Sequence, residues 1–161
     1  MPPPLVFGIS IAFSLIAWGI FVALYVWPVL QQQPRAEAAR PLLLLHSSRF
    51  VGLSFLVPGV VSPNLPADWA QPAAYGDITA AILALLALAA LKTRLAIPLM
   101  WVFNAWGFGD LVFAFYQGYR VGLEPGHLGA AYFIVTVLVP LLLITHGLMF
   151  RLLVKFDDGR G

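Results

Sequence analysis

The sequence predicts an all-α integral membrane bundle of five transmembrane helices, N-terminus outside and C-terminus inside. Three observations carry that expectation. First, AVILMFWYC make up 61% of the 161 residues and charged residues 10%, where soluble globular chains carry about 45–50% and about 25%. Mean hydropathy is +0.90, and so few charges would not cover a soluble core of this size. Second, the apolar residues gather in runs of about twenty, which as helices rising 1.5 Å per residue cross a hydrocarbon layer of roughly 30 Å. Membrane strands are shorter and alternate in polarity. Third, the cations sort by loop. Arg35, Arg40, Lys92, Arg94, Arg151, Lys155 and Arg160 fall on the inner side of this topology and only Arg120 on the outer side, the bias typical of cytoplasmic segments.

Taken in order, the chain reads as a single transmembrane domain. The first span, 5–30, lacks the basic start of a signal peptide and has too long an apolar run for one, so it is read as uncleaved. A polar linker, QQQPRAEAAR, follows. The second span, 41–61, is interrupted by His46-Ser47-Ser48-Arg49, and Pro58 sits where it would bend the helix. A Pro-rich loop, 62–72, leads to the third span, 73–91, with Asp77 in its first turn, where a helix dipole favours an anion. Lys92-Thr93-Arg94 makes a tight basic turn. The fourth span, 95–117, contains Asn104 and Asp110, and a Gly-containing loop, 118–127, joins it to the fifth, 128–150. A short polar tail, 151–161, ends the chain. Pro98 and Pro140 fall inside spans and are expected to bend them. Tyr25 and Trp27 mark the inner interface, and Trp69, Tyr75, Tyr116, Tyr119 and Tyr132 the outer one.

Composition excludes several chemistries. There is no cysteine, hence no disulfide, thiolate catalysis, Cys-ligated zinc or Fe–S cluster. The net charge of +2 is small and scattered, which argues against nucleic acid. No phosphate loop, dinucleotide fingerprint or Gly-x-Ser-x-Gly elbow is present. Glu124 and His127 share a loop but offer too few ligands, so no metal is expected.

The informative residues are polar groups at membrane depth, each costing about 2.5–3.5 kcal/mol to insert if charged. His46 and His146 lie roughly 7 Å from the inner end of their spans, Arg49 and Asn104 roughly 12–14 Å in, and Asp110 roughly 22 Å in. Asp77 lies toward the outer side. Facing one interior, these residues form a polar column of ligand- or ion-path candidates: His46, Arg49, Asn104, Asp110 and His146, with Asp77 as an outer member or a helix cap. Arg49 follows His46 by three residues and so shares its face. It is placed to pair with Asp110 or to hold an anionic headgroup. Asp77, Ala80, Ala81, Ala84 and Leu88 share one helix face, whose small residues allow close packing. His46 and His146 also match in depth as two axial ligands of a b-type haem would, with Gly52 and Gly147 leaving space and Arg151 near a propionate.

Three function classes follow. One is a non-catalytic accessory component or binder of a lipid-like ligand. Another is a proton-coupled or ion transporter using the column. The third is a bis-His haem redox protein or a membrane enzyme acting on a lipid or isoprenoid. Whether the chain is an enzyme is left open. Expected partners are the bilayer, a lipid-like ligand, and a membrane protein or a second copy. Segments such as RFVGLSFLVPGVVSP, AAYGD and VPLLLITHGLMF are similar to those of small bacterial multi-spanning proteins of undefined role. That resemblance implies no residue roles; the expected location is a bacterial cytoplasmic membrane.

Overall fold

Helix is the one regular structure that satisfies its own backbone without water, and the computed structural model, which describes residues 1–155, is all-helical, with no strand among them. The α-helices are α1 (Pro3–Phe21), α2 (Trp27–Leu30), α3 (Arg35–Ser47), α4 (Ala67–Ala89), α5 (Ala96–Arg120) and α6 (Val139–Lys155). A π-helical segment, Val22–Val26, fuses α1 to α2, and another, Ile134–Leu138, leads into α6. Two 3-10 segments, Ser48–Leu56 and Pro125–Ala131, complete the order. Four helices are long and apolar enough to cross a membrane: Pro3–Leu30, Ala67–Ala89, Ala96–Arg120 and Ile134–Val154.

The expected second span, 41–61, is not one uniform helix. α3 begins earlier, at Arg35, inside the expected linker, and passes at Ser48 into the 3-10 segment that ends at Leu56. The serines explain the change of winding. Ser47 Oγ donates to Leu44 O at 2.7 Å and Ser48 Oγ to Leu45 O at 2.6 Å, competing for carbonyls that an α-helix would use. With three residues per turn, residues three apart eclipse. The buried residues of the segment are accordingly Arg49, Gly52 and Phe55, continuing a line that starts at His46.

Other boundaries also shift. α4 starts at Ala67, so Asp77 lies well inside the helix rather than in its first turn. Pro98 falls in the first turn of α5, where a missing N–H costs nothing, so the bend expected there is not required. Each π segment ends two residues before a proline, Pro28 or Pro140. A proline ring collides with the carbonyl four residues back, and the widened turn absorbs that clash. Trp18 uses the second such site, donating from Nε1 to Val137 O at 3.1 Å and fastening α1 to the last helix. Of the expected tail, residues 151–155 prolong α6, and 156–161 lie outside the described residues.

α4 is the central helix, packed by α3, by α5 and by the segment Ser48–Leu56. Its buried face is mostly alanine, which lets backbones approach closely. Three apolar clusters result, a small one of Leu111, Val139 and Leu142 and two larger ones. One gathers Leu42, Leu43, Ala84, Ala87, Met100, Phe103, Met149 and Leu152; the other gathers Phe55, Trp69, Ala73, Leu128 and Val135. Along α4, α5 and α6 the polar residues fall between the two larger clusters, as a layer separating two apolar cores.

Candidate functional site

Arg49 is the centre of that layer. Its side chain is fully buried, and every nitrogen of its guanidinium is engaged. Nε donates to Asp77 Oδ1 at 2.7 Å, and Nη2 contacts the same oxygen at 2.7 Å. Nη2 also donates to Asp110 Oδ2 at 2.7 Å. Nη1 donates to Gly107 O at 2.9 Å and to His146 Nε2 at 3.3 Å. Four chain segments, the Ser48–Leu56 turn, α4, α5 and α6, are thus tied by one cation. Both carboxylates are about nine-tenths buried, and a charge so far from water requires such pairing.

Hydrogen-bond logic fixes the imidazoles. Arginine has no acceptor, so His146 Nε2 must accept from Arg49, and His146 carries its proton on Nδ1. Nδ1 donates to Asn104 Oδ1 at 2.7 Å, while Asn104 Nδ2 returns a bond to His146 O at 3.3 Å. His46 takes the opposite tautomer. Thr145 Oγ1 spends its proton on Leu141 O at 2.9 Å, so at 3.0 Å it accepts from His46 Nε2. His46 Nδ1 is buried and has no hydrogen-bond partner among the described residues.

Tight approach between elements depends on glycine. A Cβ on Gly52 would overlap the Asp77 carboxylate, and one on Gly76 would overlap that of Asp110. At Gly107 it would press on His146 and Arg49. All six expected site residues therefore meet. Arg49, Asp77, Asp110, His146 and Asn104 form one bonded set, and His46 stacks on it, its ring centroid 4.1 Å from that of His146. Reading the sequence missed Gly76 and Thr145. Thr145 had a usable signal: a helical threonine bonded back to its own helix leaves an acceptor for the neighbouring helix.

The His46/His146 pair does not fit a haem. Two axial imidazoles need an open slot with one nitrogen from each aimed at a shared iron. Here the rings are in contact, and both nitrogens of His146 are occupied. Among the described residues no group of histidines and carboxylates is arranged to hold a metal ion. Glu124 and His127 instead close a capping box at the start of the segment Pro125–Ala131.

A cavity of about 230 Å³ adjoins the cluster. Phe7, Phe55, Trp69, Leu111, Phe115 and Val135 contribute apolar walls, and Asp77 and Asp110 provide the charged surface. Trp69 is held in place by donating Nε1 to Ala114 O at 2.9 Å. Asp110 also borders a second, wider depression on the far side of the α4–α5 contact, next to Gly76 and Trp106.

The family model described as Domain of unknown function (DUF8737) matches residues 6–154, and the chain belongs to that family. Comparisons with curated proteins and with solved structures returned no match.

Proposed function

We propose that this chain is a non-catalytic component of a bacterial cytoplasmic membrane that crosses the bilayer five times and holds a lipid-like molecule in the cavity beside Arg49. The observation carrying the proposal is that cavity: apolar and aromatic on its walls, charged where it meets Asp77 and Asp110. Such a shape suits an amphiphile, burying a chain and fixing a head.

The fifth crossing is supported by length. α3 has 13 residues and the 3-10 segment nine, rising about 20 Å and about 18 Å. Together they exceed the roughly 30 Å hydrocarbon layer. Arg49 enters that layer already paired with two carboxylates, which offsets the insertion cost. An outer N-terminus then places the basic turn Lys92-Thr93-Arg94 inside. The exposed apolar side chains of α1, among them Phe13, Ile16 and Ile20, face acyl chains in this arrangement.

A non-catalytic role is favoured by the chemistry of the buried groups. Thr145 and His46 are the nearest approach to a nucleophile and base, yet the hydroxyl proton is committed to Leu141 O and both side chains are sealed. Proton- or ion-coupled transport has one observation in its favour, the bonded series from Asp110 through Arg49 to His146 and Asn104. The fixed guanidinium in the middle of that series opposes a passing cation, so ligand holding is preferred.

The test is native mass spectrometry of protein purified in mild detergent. The expected result is one lipid-like molecule bound to the natural chain and lost from Ala114→Phe, which fills the cavity. Protein that carries no such molecule, and that no member of a lipid panel stabilises against heat, would remove the proposal. Impermeant-ion flux through liposomes bearing the protein, abolished by Asp110→Asn, would establish the transport reading instead.

A further inference from the structure

The geometry points to the headgroup: we infer that the molecule held in the cavity is an amphiphile with an ammonium-type cationic head, seated against Asp110 and Asp77. This inference rests on the ligand-holding proposal above and adds the chemical class. Charge matching carries it. One guanidinium faces two carboxylates, so with both carboxylates ionised the cluster has one formal negative charge in excess. The neighbours do not balance it. His146 presents an acceptor to Arg49, His46 is bonded to Thr145, and Asn104 is neutral. An uncompensated charge away from water is costly, and a cation arriving from the cavity removes that cost.

Acceptor inventory agrees. Asp77 uses Oδ1 and Asp110 uses Oδ2 toward Arg49. Asp77 Oδ2 and Asp110 Oδ1 take no hydrogen bond among the described residues, resting instead against Gly52 and Gly76. The Asp110 side chain, nine-tenths buried, shows its remaining surface to the cavities. An anionic head in the cavity would meet the two carboxylates that line it as repulsion; an ammonium pairs with them. The aromatic walls, Phe55, Trp69 and Phe115, add faces that attract a cation. Volume sets the rest of the molecule. About 230 Å³ holds roughly eight groups of water size: a head and a short stretch of chain. Phe115 and Tyr119 line the cavity and are themselves exposed, so a longer chain has an apolar surface to follow outward.

Binding of decylammonium, decanol, decanoate and methylammonium to the purified protein in uncharged detergent micelles tests this, read through tryptophan fluorescence because Trp69 lines the cavity. Ala114→Phe, with its cavity filled, subtracts effects of the probes on the micelle. Decylammonium is expected to bind about tenfold or more tighter than decanol, the factor of one charge-assisted hydrogen bond, with decanoate weakest. Asp110→Asn should bring decylammonium to the decanol level. Equal binding of decanol and decylammonium by the natural protein overturns the headgroup assignment while the cavity proposal stands. Methylammonium binding as tightly as decylammonium overturns the amphiphile in favour of a small-cation site. Absence of binding by all the probes overturns both readings. Because the decisive ratio is measured on the natural protein, a poorly folding Asp110→Asn does not blunt the test.

Discussion

Replacing Arg49 with leucine removes the cation that joins the 3-10 segment to α4, α5 and α6. Two charge-assisted bonds of 2.7 Å to carboxylates and two weaker ones, to Gly107 O and His146 Nε2, disappear. Each bond to a charged group is worth about 1.5–3 kcal/mol net. Asp77 and Asp110 are then left together, nine-tenths buried, with no cation. Breaking a buried pair from one side costs about 3–5 kcal/mol. By the scaling for soluble chains of this size, that lowers Tm by about 6–20 °C. Equilibrium unfolding in mixed micelles, followed by circular dichroism, measures the cost, and a thermal ramp measures the shift. A second arm separates charge imbalance from lost contact. Arg49→Leu combined with Asp77→Asn and Asp110→Leu removes all charge from the layer and should recover most of the loss, since apolar replacements of buried ion networks are often neutral or stabilising. A loss below about 1 kcal/mol for Arg49→Leu alone, or a triple variant no more stable than the single one, would refute the view of the cluster as a balanced buried ion network.

The remaining predictions concern space, protons and topology. Gly52→Ala and Gly76→Ala should each destabilise by about 1–3 kcal/mol through overpacking, whereas Gly8→Ala, where an added Cβ meets nothing, should be neutral or stabilising by about 0.5–1 kcal/mol. The same unfolding titration compares them, and equal effects at the three sites would contradict the close approach. Imidazole ¹⁵N spectra should show His146 protonated on Nδ1 and His46 on Nε2. Thr145→Val, which strands the His46 donor, should cost about 1–3 kcal/mol; a shared tautomer would disprove the bonding assigned here. Because the chain has no cysteine, Ser62→Cys and Thr93→Cys provide clean reporters. An impermeant maleimide added outside intact cells should label the first and spare the second, and the reverse pattern would invert the proposed orientation. Purified protein should show no Soret band, and a band lost in His146→Ala would overturn the misfit with haem.

Composition and hydropathy sufficed for the all-helical class and for the identity of the polar residues, because each charge inside a long apolar run stands out against its background and has to find a partner. The line His46, Arg49, Gly52, Phe55 is visible as spacing, yet spacing of three fits an α-helical face as well and does not reveal the 3-10 winding from Ser48, which Ser47 and Ser48 impose by bonding to carbonyls of α3. The prolines of 62–72 look like loop and put Asp77 at a helix start, whereas α4 begins at Ala67, directly after Pro66, and runs on through Pro72. Sequence alone determined which charged groups sit within long apolar runs and therefore need a partner. Tertiary structure alone decided how: helix rotation and close glycine contacts brought Asp77, Asp110 and His146 from three helices onto one guanidinium. Those rotations depend on the packing of all the helices at once, and no local run of residues encodes them.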